Sequence, residues 1–216
     1  MHWLRRFALM LLLLASGCAT LDAPPRAGLG VRDLIAIEQW GGERVAVTAP
    51  AARRHQITHI TLHHGGVDFP RSRDPKEYLR SLQRWSRGTR GWVDLPYHVL
   101  IDLDGTAYEG RDLALAGDTN TEYDPTGHAL VVVLGNYDQV KPSAAQIDRV
   151  GAVVADLART YGVPLERIAS HRDYAKTTCP GQHLYRIIED GSLRARVAVA
   201  HERAPERLLA PPVRAQ

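Results

Sequence analysis

The run from Ile57 to His64 constrains the fold more than any other segment, because its β-branched and apolar residues fall on both faces of a strand. A strand with one wet face alternates apolar with polar residues, so a strand that does not must be covered on both sides. Ala129 to Leu134 repeats the pattern. Helices must supply the covering layers, and the chain carries their signals. Asp74 stands ahead of Pro75 as a cap, and Tyr78, Leu79, Leu82 and Trp85 then share one face before Gly88. Ser143 and Gln146 form a capping box, after which Ile147, Val150, Val154, Leu157 and Tyr161 recur at helical spacing until Gly162 and Pro164 stop the helix. A last helix is expected from near Pro180 past Ile187, with a break at Gly191. Tyr97–Leu103 and Thr106–Arg111 flank Asp104-Gly105, a hairpin signal because both turn positions tolerate positive φ. A tight hairpin joins only antiparallel strands. The expected fold is therefore α/β, a single domain over roughly residues 33–200 with a central mixed β-sheet flanked by helices.

The ends of the chain read differently. Arg5 and Arg6 precede the apolar run Phe7–Ala15, which spans only about 14 Å as a helix and is too short for a permanent membrane crossing. With Ser16 and Gly17 behind it, this is the pattern of a signal peptide over residues 1–17. Ala15-Ser16-Gly17-Cys18 also resembles a bacterial lipobox, which implies acylation of Cys18; the alternatives are an ordinary secreted protein or an uncleaved anchor. Ala19 behind the cysteine resembles the outer-membrane sorting class, so the expected location is the Gram-negative envelope, anchored in the outer membrane and facing the periplasm. Residues 18–32, rich in Ala, Pro and Gly, read as a lipidated cysteine and tether, and residues 201–216 as a disordered tail. The whole chain has 27 basic against 24 acidic residues. Without Arg5 and Arg6 the balance is close to neutral, which gives no electrostatic footprint for nucleic acid. A monomer is expected, since no feature indicates an oligomer.

With Cys18 consumed by lipid, Cys179 stands alone, and a lone cysteine in an oxidising compartment is inert, reactive or a metal ligand. Two places concentrate metal-binding chemistry: His63-His64 at the end of the first strand, and His171 with Cys179 eight residues on. Together they offer the imidazoles and thiolate of a zinc site with an open fourth position. His63 and His64 point to opposite faces of a strand, and His59 lies about 13 Å from His63, so the strand supplies one ligand. Spacing leaves open which histidine it is.

The motifs, taken in order, resemble one family: the zinc N-acetylmuramoyl-L-alanine amidases of the peptidoglycan-recognition protein and phage-lysozyme type. They are Glu38-Gln39-Trp40-Gly41-Gly42, Thr61-Leu62-His63-His64-Gly65, Trp92-Val93-Asp94-Leu95-Pro96-Tyr97-His98, Tyr108-Glu109-Gly110-Arg111, Val133-Leu134-Gly135-Asn136-Tyr137, and Ser170-His171-Arg172-Asp173 with Cys179-Pro180-Gly181. The resemblance implies Zn2+ held by His63, His171 and Cys179, with Tyr97 and Thr177 as catalytic partners. It places His64 and Asn120 on the substrate side, although Leu115-Ala116-Gly117 stands where many relatives carry Gly-Ala-His. His128 and His183 match no metal role and read as surface or structural. The reaction implied is hydrolysis of the amide between N-acetylmuramic acid and L-alanine in peptidoglycan or muropeptides. The alternative is a non-catalytic peptidoglycan-binding envelope lipoprotein; such relatives typically lose a zinc ligand, and here all three positions are filled.

Overall fold

The computed structural model describes residue 31 and residues 33–203. The expected signal peptide, Cys18, nearly all of the tether and most of the tail lie outside them. Six strands form one sheet in the order β1-β4-β3-β5-β2-β6. They are β1 (Leu34–Ile35), β2 (His59–His64), β3 (Val99–Ile101), β4 (Ala107–Glu109), β5 (His128–Val133) and β6 (Ile168–Ser170). Among these six strands only β3 and β4 pair antiparallel and the other four pairings are parallel, so the sheet is mixed as expected.

The two faces of the sheet carry separate cores. Ile60, Leu62, Val99, Ile101, Val131 and Val133 pack against Val150, Val154 and Leu157 of α2 (Ala144–Tyr161), and against α3 (Gln182–Glu189) and α4 (Ser192–Arg203). On the other face Leu100, Val132 and Leu134 meet Trp40, Ile37 and Leu79, the last from α1 (Pro75–Gly88). The expected helix signals stand where the chain uses them. Asp74 accepts the amide of Lys76, Ser143 and Gln146 close a reciprocal capping box, and Gly162 ends α2 in the left-handed conformation. The interruption between α3 and α4 falls at Gly191, and α4 continues to Arg203, three residues past the expected end of the domain.

One expectation needs correction, and one open alternative is decided. The hairpin does not use a two-residue turn with both residues at positive φ: Ile101 pairs with Ala107, Asp102 donates its amide to the Thr106 carbonyl at 3.0 Å, and only Gly105 is left-handed, at φ 81°. The Asp102 carboxylate is the cause. It accepts the amides of Asp104 and Thr106 and the Tyr108 hydroxyl, which shapes a three-residue loop with glycine at its left-handed position. Of the two roles left open for His128, surface or structural, the second holds. His128 is buried in β5 with Nδ1 2.7 Å from the Thr61 hydroxyl, a structural role in the sheet.

His98 braces the middle of the molecule. Its Nδ1 accepts the Leu130 amide at 2.8 Å, which requires the neutral ring, and Nε2 lies 2.9 Å from the Leu115 carbonyl. Burial pushes this imidazole down from 6.5 to about 3. The native state thus binds fewer protons than the unfolded chain between those values, so the stability His98 contributes is present above pH 6.5 and lost as pH falls towards about 3. Thermal melts of the metal-free protein should decline from pH 7 to pH 4.5, and the decline should be shallower in His98→Gln. An identical slope would remove His98 from the acid response.

A candidate metal centre where β2 and β6 end

Strand pairing delivers the first two donors. In the parallel β2–β6 ladder Leu62 is the partner of Ser170, so the next residue on each chain is a histidine: His63 within β2 and His171 just after β6. Both imidazoles take the same face, with ring centroids 4.6 Å apart. The third donor arrives on the loop that follows. The Cys179 sulfur accepts the backbone N–H of His64 at 3.4 Å and lies 3.7 Å from His63 Nδ1. Donor atoms of His63, His171 and Cys179 all lie within 4.8 Å of one another.

The donor set fits a zinc ion. Zn–N bonds near 2.0 Å and a Zn–S bond near 2.3 Å at tetrahedral angles put nitrogen and sulfur about 3.6 Å apart. The His63–Cys179 separation of 3.7 Å agrees with that. His63 is fully buried and its Nε2 has no partner. Burial holds His63 well below its usual range, with His171 adding to the effect, and burial likewise lowers His171 to about 4. Both rings are therefore neutral at pH 7 and offer lone pairs. Burial raises the Cys179 thiol to about 12, while the His64 amide opposes the shift. A coordinated cation is the kind of charge that releases such a proton.

The remaining expected residues divide. Tyr97 stands beside the cluster, its ring centroid 5.3 Å from that of His63, and burial raises its phenol. Thr177 turns its hydroxyl to accept the Cys179 amide at 3.2 Å. His64 faces away from the cluster: its Nδ1 accepts the Tyr137 amide at 3.3 Å and its ring borders Gly181. Asn120 is exposed, and its neighbours Thr119 and Thr121 are the residues that meet His171, with hydroxyls 3.4 and 2.7 Å from Nε2. Sequence reasoning missed these threonines; the Thr-Asn-Thr alternation was the available signal. It also gave no role to Arg111, which is buried and donates to the carbonyls of Asp94, Leu95 and Ala116, anchoring the segments that lead into Tyr97 and into the threonine loop. A cavity of about 1080 Å³ lined by Leu34, Arg44, His55 and Tyr161 contains none of the donors, and the chemistry follows the donors.

Comparison with known proteins places this architecture. Residues 53–182 match the Amidase_2 family, N-acetylmuramoyl-L-alanine amidase, and the chain belongs to that family. It is 32% identical over 158 residues to peptidoglycan recognition protein 1 of Bos taurus, covering 70% of this chain and 80% of the relative. It is 28% identical over 160 residues to the N-acetylmuramoyl-L-alanine amidase of Homo sapiens, covering 69% of this chain and 27% of that longer protein. The human PGRP-IBETAC structure, solved in complex with glycosamyl muramyl pentapeptide, superposes with a TM-score of 0.63 at 20% identity, over 73% of this chain and 95% of that one, and shares the fold.

Close packing sets the position of the cysteine loop. Gly181 has φ 84°, and a Cβ there would stand 2.5 Å from the Tyr137 carbonyl carbon and 2.7 Å from the Asp138 nitrogen. Gly181→Ala should therefore cost about 2–3 kcal/mol in chemical denaturation, from strain and from the clash together. A change under about 0.5 kcal/mol would show that the loop shifts freely.

Proposed function

We propose that the chain is a zinc hydrolase that cleaves the amide between N-acetylmuramic acid and L-alanine in peptidoglycan or muropeptides. The convergence of His63, His171 and Cys179 carries this reading, since three donors of this chemistry leave one position of a tetrahedral ion open. The family membership and the peptidoglycan recognition relatives support it. When bound there, zinc lowers the pKa of a coordinated water towards about 7 and polarises the scissile carbonyl.

The chain's own residues supply the rest. Burial keeps the Tyr97 phenol protonated, so it acts as a hydrogen-bond donor to the oxyanion that develops on the substrate. Thr177 accepts the Cys179 amide, which orients its hydroxyl and leaves its own proton to donate. The His64 amide on the sulfur favours the Cys179 thiolate. Asn120 remains the proposed substrate-side residue, from its exposed loop, whereas His64, expected beside it, is buried with its ring turned from the cluster and serves the site through its backbone amide. A signal peptide over residues 1–17 and acylation of Cys18 would hold a monomeric domain at the periplasmic face of a Gram-negative outer membrane; Arg5, Arg6, the apolar run and the lipobox support this part.

Purified protein should contain one zinc per chain and release new L-alanine amino termini from sacculi, and Cys179→Ser should lose both. Zinc without release would leave a binding protein; no zinc would remove the enzyme reading. Tyr97→Phe should keep the metal and lower kcat by roughly 10²-fold or more, as loss of an oxyanion donor does. Unchanged kinetics would assign Tyr97 to packing.

A further inference from the structure

The two histidines of the cluster are held differently. His63 Nε2 is buried without a partner, whereas His171 Nε2 faces the Thr121 hydroxyl at 2.7 Å. Thr121 does not stand alone. Its hydroxyl lies 2.8 Å from that of Thr119, and its amide donates to the Thr119 oxygen at 3.2 Å, so the pair forms a small hydrogen-bonded unit over the ring. The loop carrying them is moored from outside: Arg53 donates to the Gly117 carbonyl and to Asp124, and Arg111 donates to Asp118. The Tyr123 ring lies alongside, 5.1 Å from that of His171 between centroids.

We propose that Thr121, backed by Thr119, is a positioning residue for His171: its hydroxyl accepts a hydrogen bond from Nε2–H and leaves Nδ1 as the nitrogen that faces the metal. This rests on the zinc reading above. A ring nitrogen cannot both bind a cation through its lone pair and carry a proton, so the partner of one nitrogen selects the other as ligand. A hydroxyl can donate or accept, but the Thr119 hydroxyl lies within reach to take the Thr121 proton, which leaves the Thr121 oxygen free to accept from the ring. Holding the tautomer and the ring plane before the ion arrives lowers the ordering cost of binding.

Zinc affinity measured by competition with a chromophoric chelator tests this without reference to turnover. Thr121→Val keeps shape and removes the hydroxyl, and should weaken zinc binding about 10- to 100-fold. Because Thr119 can substitute at 3.4 Å, the pair Thr119→Val with Thr121→Val should weaken it further. Thr121→Ser should recover most of the loss; a serine variant as weak as valine would assign the role to the methyl group and overturn the proposal. Nitrogen-15 NMR of the metal-free wild type supplies a second readout, independent of whether any variant folds. A proton on His171 Nε2 is expected, and a proton on Nδ1 overturns the proposal. Wild-type zinc binding with both valine variants within twofold of it defeats the proposal alone. A wild type that takes up no zinc defeats the metal reading and this proposal with it.

Discussion

The register between β2 and β6 is the constraint on which the site depends. Leu62 opposite Ser170 makes His63 and His171 the next residues on neighbouring parallel strands, and residues at that position in a ladder share a face. A slip of one residue would turn His63 into the core of Ile60, Leu62 and α2, and bring His64 to the cluster side. The register is held because both faces are buried: each alternative places imidazoles among valines and isoleucines. Thus the hydrophobic effect that builds the sheet also decides which histidines meet.

Much of this was legible along the chain, and the division is physical. Features decided within a few residues could be read directly: the Asp74 cap, the Ser143–Gln146 box, the Gly162 stop and the two-sided apolar runs of β2 and β5. The hairpin was legible as a hairpin but not in its turn type, because the Asp102 carboxylate captures amides two and four residues ahead and outweighs the preference of Asp104-Gly105 for a shorter turn. Strand alternation reduced His63 and His64 to one ligand without choosing. The choice is tertiary: His64 Nδ1 is already taken by the Tyr137 amide, 73 positions away. The same holds for Thr121, whose partner His171 lies 50 positions on, and for buried Arg111, most of whose acceptors are carbonyls that any residue would offer, with the Asp118 carboxylate beside them.

The cluster also illustrates a cost that the fold accepts. Seven imidazoles among the described residues, those of His55, His59, His63, His64, His98, His128 and His171, are displaced below their ordinary range chiefly by burial. Hydrogen bonds offset that cost for His98, which is tied on both nitrogens, and for His128, tied to Thr61. His63 keeps a buried nitrogen without a partner, and an unmatched buried polar atom is the kind of local inconsistency that folded chains retain at functional sites.

The sulfur and the first imidazole are separated by 116 positions of chain. The polypeptide must be made at least as far as Cys179 before they can meet, and β6 with the loop after it must then dock beside a strand made long before. An ion captured there would consequently report completed folding: truncated or misregistered molecules lack the grip to keep it, and occupancy becomes a measure of how much of a population has reached its native arrangement.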